Sequence, residues 1–165
     1  MSTRLFCLAL IACFAFPASA LAAAGDPVLD NEEKALCKAV NSYRAQNGVP
    51  ALKVSVSLTK ASRWMSADMG RKNYFSHTDS LGRSFSKRMT AFGYSGGTRS
   101  ENIAGGVAGG VATFNGWKAS AAHRANLLSR TFKVIGVGRG WTANSMMGMY
   151  WTAKFGSVTD RTMAC

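Results

Sequence analysis

The chain has 165 residues, with 20 Lys and Arg against 8 Asp and Glu and a formal net charge of +12. It is 47% hydrophobic and only 17% charged, which excludes a disordered polar chain, and its length suits one domain. The excess of cations draws such a protein toward anionic surfaces: phospholipid, lipopolysaccharide, wall polymers or nucleic acid.

Met1-Ser2-Thr3-Arg4 is a short positive segment, and Leu5 to Phe16 is an almost unbroken apolar run. Spanning a bilayer takes roughly 20 apolar residues, so this run has the length of a secretory signal core instead. Pro17 breaks it, and Ala18-Ser19-Ala20 supplies a small-x-small cleavage pattern. Residues 1–24 therefore read as a signal peptide and 25–165 as a single domain, secreted or periplasmic, with no transmembrane segment expected. Leu10-Ile11-Ala12-Cys13 resembles a lipobox, which makes lipid anchoring at Cys13 the alternative. The apolar Phe14-Ala15-Phe16 behind it argues against that reading. Cys7 and Cys13 leave with the signal, and Cys37 and Cys165 remain. In an oxidising compartment these two are expected to pair.

The first helix is expected from about Asp30 to Asn47. Asp30 or Asn31 caps it, and Glu32 and Glu33 suit the positive end of the helix dipole. Leu36, Ala39, Val40 and Tyr43 follow the i, i+3, i+4, i+7 rule, and Gly48 and Pro50 stop the helix. A second helix follows Ser57 as cap, with Leu58, Ala61, Met65 and Met69 inward. A third runs from Ser84 to Phe92, and a fourth from Val111 to Ala119 with Val111, Phe114 and Trp117 on one side. Phe132 to Arg139 and Met147 to Phe155 read as an antiparallel strand pair joined by a loop at Gly140 to Ser145. Helices first and strands last, without βαβ alternation, point to an α+β fold.

Local motifs carry little chemistry by themselves. The mature chain has two histidines, His77 and His123, and neither lies in a zinc-finger or H-E-x-x-H spacing. Two His and one Glu can still converge from distant positions to hold a cation such as zinc. Between Asp79 and Asp160 the single acid is Glu101, in a stretch rich in Lys and Arg, which marks it as a partner for a cation or a histidine. Ser120 and His123 share a helical face if the fourth helix continues through them, the spacing of a nucleophile and base. No G-x-S-x-G elbow supports that pair. Gly105-Gly106, Gly109-Gly110 and Gly136-x-Gly138-x-Gly140 lack the lysine of a phosphate loop, so close packing and turns explain them better. Arg63-Trp64 and Lys72-Asn73-Tyr74-Phe75 interleave cations with aromatics, but no nucleic-acid motif accompanies them, and nucleic acid is not the expected partner.

Seven segments in order resemble one family. They are Asn41-x-x-Arg44-x-x-x-Gly48-x-x-x-Leu52, Tyr74-Phe75-Ser76-His77-Thr78 and Gly82-Arg83-Ser84-Phe85. Ser100-Glu101-Asn102-Ile103-Ala104 follows, then Trp117-x-x-Ser120-x-x-His123-Arg124-x-Asn126-Leu127-Leu128. Ile135-Gly136-Val137-Gly138 and Tyr150-Trp151-Thr152-x-x-Phe155-Gly156 complete the set. Together they resemble the CAP superfamily of cysteine-rich secretory, antigen 5 and pathogenesis-related 1 proteins, in its bacterial form. The resemblance covers residues 33–156. It implies a three-layer α-β-α sandwich with a central antiparallel sheet, and a cleft lined by two His and two acidic residues.

Here the resemblance assigns His77, Glu101, Ser120 and His123 to the cleft, with His77 and His123 as metal candidates for zinc or another divalent cation. Ser120 stands where animal and plant members carry a second Glu, which weakens acid/base chemistry and metal affinity. Three functions follow as expectations. The first is a monomeric secreted module binding a lipid, peptide or envelope-derived ligand. The second is a metal-dependent hydrolase using the same three residues for catalysis. The third is an envelope or host interaction protein acting through its basic surface on an anionic component.

Overall fold

The structure, a computed structural model, describes residues 25–165. The expected signal peptide at 1–24, with Cys7 and the lipobox at Cys13, lies outside the described residues.

The first helix, α1, spans Asn31–Gln46. The Asp30 carboxylate accepts from the backbone N–H groups of Glu32 and Glu33, and the Asp30 N–H donates to Glu33 Oε2 at 3.0 Å. This reciprocal capping box satisfies donors that the first turn leaves unpaired. Strand β1, Lys53–Ser55, runs straight into α2, Val56–Lys72. The cap of α2 is therefore Ser55 and not the expected Ser57, with Ser55 Oγ accepting from Leu58 N–H at 3.0 Å. Helix α3, Phe85–Ala91, is capped by Ser84, and strand β2 follows at Arg99–Gly105.

Helix α4 is Gly110–Ala119 and α5 is Ala121–Leu128. The buried stripe of α4 is Gly110, Thr113, Phe114 and Trp117. Val111 falls one position off that stripe and is 51% exposed, against the expectation that it packs with Phe114 and Trp117. Strands β3, Val134–Trp141, and β4, Met149–Gly156, form the expected antiparallel pair. Gly140 and Trp141 extend the ladder where a loop was expected, paired with Tyr150 and Met149. The two-residue β5, Thr162–Met163, closes the chain.

The sheet order is β2-β4-β3-β1-β5. Its centre is antiparallel, as the α+β sandwich requires, while β1 pairs β3 in parallel. A parallel neighbour needs a long crossover, which the helices α2 to α5 and β2 supply between β1 and β3.

Helix α2 covers one face of the sheet. Gly136, Gly138 and Gly140 alternate along β3, so all three present the same face to it. A Cβ on Gly136 would come within 2.2 Å of Leu58 C, and one on Gly138 within 2.2 Å of Arg63 N. The glycines are there for close approach, and Ser62 Oγ and Ser66 Oγ donate to the carbonyls of Gly136 and Gly138 across the gap. Ile135 and Val137 face the other way, into a core with Leu36 and Val40 of α1, Trp117 of α4 and Leu127 of α5. The expected Cys37–Cys165 disulfide ties α1 to the last residue across a separation of 128. Among the described residues, no helix is long and apolar enough to cross a membrane.

Candidate functional site

His77 lies in the loop that follows α2. The helix ends at Asn73, whose φ of 54° turns the chain away. Two buried carboxylates then pin the loop. Asp68 accepts from Tyr74 OH at 2.5 Å, from Ser80 N–H at 3.0 Å and from Ser80 Oγ at 2.7 Å. Asp79 accepts from the N–H groups of Leu81 and Arg83 and from Arg83 Nε. Burial pushes both carboxyls up, but these donors outweigh it and hold them below the usual range.

The loop carries His77 to β2, the edge strand. His77 Nδ1 lies 2.9 Å from Glu101 Oε1. The His77 side chain is 51% exposed, whereas that of Glu101 is fully buried. Burial alone would raise the Glu101 pKa. The hydrogen bond from His77 and the charges of Lys154 and Arg88 reverse that and hold it at about 2. An ionised carboxylate only accepts, so Nδ1 carries the proton and Nε2 is the imidazole nitrogen left for a ligand.

The second carboxylate oxygen is also engaged. Glu101 Oε2 accepts from Arg88 Nη2 at 2.7 Å and from Lys154 Nζ. Arg88 reaches back to Asp79 Oδ2 at 3.2 Å and donates to the His77 carbonyl. Arg88, Lys154, Asp79 and Glu101 thus form a buried group of two cations and two anions under His77. Lys154 is itself held below its usual pKa by burial.

His123 arrives from the opposite layer, on α5. Its carbonyl accepts from Asn102 Nδ2 at 3.2 Å, and Asn126 Nδ2 donates to Asn102 Oδ1 at 2.8 Å. Its ring centroid lies 6.4 Å from that of Trp117. Burial first, and then the nearby charge of His77, lower the His123 pKa. His77 thus contacts Glu101 and the His123 backbone contacts Asn102, so the two histidines come to neighbouring residues of β2.

The sequence model of the cysteine-rich secretory protein (CAP) family matches residues 37–155. The chain belongs to the CAP family. It is 35% identical over 123 residues to the uncharacterized protein YkwD of Bacillus subtilis (strain 168), covering 74% of this chain and 46% of that protein. Among solved structures, it resembles an extracellular protein containing a SCP domain from Bacillus anthracis. That match has a TM-score of 0.69 and 27% identity, over 77% of this chain and 40% of that one. An outer surface protein from Borrelia burgdorferi shares the fold, with a TM-score of 0.70 and 21% identity, over 79% of this chain and 97% of that one. The chain thus spans less than half the length of YkwD and of the Bacillus anthracis protein.

In this CAP domain Ser120 is the joint between α4 and α5, with ψ of 123°. The helix does not continue through it, so the expected shared helical face of Ser120 and His123 is not formed. Among the described hydrogen bonds, Ser120 Oγ makes none to His123. Both oxygens of Glu101 are taken, by His77 on one side and by Arg88 and Lys154 on the other. Among the described residues, no group of three or more His, Cys, Asp or Glu is placed to hold a metal. The donors left for a divalent cation are the two imidazoles, short of the usual three protein ligands of a catalytic zinc site.

Sequence reading gives Arg88, Lys154, Asp68 and Asp79 no role at the site. The signal was their company: Arg88 stands before Met89 on a short amphipathic helix, and Lys154 sits between Ala153 and Phe155 in an apolar strand.

Proposed function

We propose that this CAP domain is a secreted binding module. Its cleft takes the polar or anionic group of a lipid, peptide or envelope-derived ligand between His77 and His123. One observation carries the reading: Glu101 is neutralised by two buried cations and serves to fix His77, leaving Nε2 as the group offered to a ligand. A carboxylate held at about 2 is a poor general base near neutral pH, where the useful pKa lies close to the working pH. This weighs against the hydrolase reading. The depressed pKa of His123 keeps a neutral imidazole available beside His77. A divalent cation in the cleft would rest on the two imidazoles and on the ligand's own oxygens. Export is supported by the extracellular protein among its structural relatives at 27% identity.

The test reads the imidazole ring NMR signals. Phosphatidylglycerol vesicles, peptidoglycan-derived muropeptides and zinc are titrated in turn into the wild type and into the His77→Ala/His123→Ala double variant, with backbone amide signals read in both proteins because the double variant has no imidazole. Saturable shifts of both rings with a vesicle or muropeptide, and loss of that binding in the double variant, are expected. Muropeptide binding that survives in the double variant, or rings unmoved by all three probes, overturns the reading.

A further inference from the structure

A second site lies away from the histidines, at the other end of the sheet. A cavity of about 370 Å³ is lined by Pro50, Ala51, Lys53, Arg130, Lys133 and the buried ring of Phe132. It is at the small end of the ligand cavities of proteins, which run about 300–1,000 Å³. Two turns build it. One joins α1 to β1, and the other joins α5 to β3. They are held together by Lys53 N–H donating to the Lys133 carbonyl at 3.0 Å and by Arg130 Nη2 donating to the Gly48 carbonyl at 2.7 Å.

The charge at this place is one-sided. Lys53, Arg130 and Lys133 are exposed, and among the described residues none of them has a carboxylate within salt-bridge reach. Beneath them lies Arg44, 1% exposed, also without a carboxylate. Its guanidinium donates to the carbonyls of Pro50, Leu127 and Ser129 at 2.7–3.0 Å. Carbonyl dipoles satisfy its hydrogen bonds but leave its full positive charge under the floor of the cavity. Arg130 is close enough to depress the Arg44 pKa further, after burial. The acid on a neighbouring segment, Asp160, is turned to Ser55 Oγ at 2.8 Å.

We propose that this groove is a phosphate-binding site, in which Lys53, Arg130 and Lys133 hold the oxygens of a lipid phosphate or of free phosphate. Arg130 is oriented by its bond to Gly48, which leaves Nη1 and Nε to meet an anion, and the two lysines act as flexible point charges. Arg44 adds field without contact, in a place where salt screens less than it does at the surface. The groove is separate from the histidine cleft, so either proposal can fail alone.

Amide-resolved NMR with inorganic phosphate at fixed ionic strength tests this. Saturable shifts at Lys53, Arg130 and Lys133 are expected, without movement of the His77 and His123 rings. In Lys53→Gln/Lys133→Gln the Kd rises at least about tenfold at an unchanged melting temperature, and it rises further with Arg130→Gln added. Shifts that stay linear or that chloride reproduces mean an adventitious ion only and overturn the proposal, as does full affinity in the variants. Sedimentation with phosphatidylglycerol vesicles names the source. Loss of sedimentation in the variants identifies lipid phosphate, and phosphate binding without that loss identifies the free anion.

Discussion

Glu101 on β2 and Lys154 on β4 stand directly opposite each other in the sheet, both side chains fully buried. Arg88 lies on the same carboxylate oxygen, so one anion holds two cations out of water. Breaking such a group from one side leaves charge without compensation. Glu101→Gln is therefore expected to lower stability by about 3–5 kcal/mol, read from urea unfolding. A loss under about 1 kcal/mol would mean that Asp79 alone compensates Arg88 and Lys154.

The same carboxylate sets an acid limit. Its folded pKa, about 2, lies below the ordinary 4.5, so the ionised form stabilises the fold. That contribution is complete above about pH 4.5 and is lost as pH falls toward 2, for a total of about 3 kcal/mol. Asp68 and Asp79 lean in the same direction. Urea midpoints measured down this pH range should fall steeply in the wild type and less steeply in Glu101→Gln. Equal slopes would place the acid sensitivity elsewhere.

The glycines of β3 make a sharper test of packing. A Cβ on Gly138 would meet backbone atoms of α2 at 2.2–2.6 Å, which cannot swing aside as a side chain does. Gly138→Ala should cost about 3 kcal/mol or prevent folding. Gly116 on α4 has nothing within 4 Å of the same position. Gly116→Ala should stabilise by about 0.5–1 kcal/mol through helix propensity. Melting temperatures that move together would refute the contact argument.

Helices α1 to α4 were legible because caps and apolar spacing are local signals, and so was the close-packing role of Gly136-x-Gly138-x-Gly140. Strands β1 and β5 were not, at three and two residues. β2 was hidden for another reason. Glu101 and Asn102 at its centre are polar yet buried, and their partners Lys154, Arg88, Asn126 and His123 come from other elements. His77, Glu101 and His123 were named by family resemblance. Nothing in their spacing shows that Glu101 is occupied by buried cations, because that depends on the register of β2 with β4.

Cys37 is fully buried in α1, and Cys165 follows the short strand β5. β5 pairs with β1 at only two positions, so the bridge is the main tie of the chain end. Closing so long a loop restricts the unfolded chain, and its loss is expected to cost about 2–5 kcal/mol. Unfolding of the protein with and without reductant measures this, with Cys165→Ser as the matching variant. A free thiol titrating in the native protein would contradict the pairing.

His123 provides the last prediction. Burial disfavours its charged form, and the neighbouring charge of His77 adds to the effect. Its ring should titrate below the ordinary value of 6.5. The folded state then prefers the neutral imidazole, so protonation of His123 works against stability as pH falls through that range. In His77→Ala the smaller of the two causes is removed and the larger remains. The midpoint should rise part of the way toward 6.5 without reaching it. Ring NMR titration of wild type and variant measures both values. A His123 midpoint at or above 6.5 in the wild type would mean that the ring is open to water and the two histidines do not share a cleft.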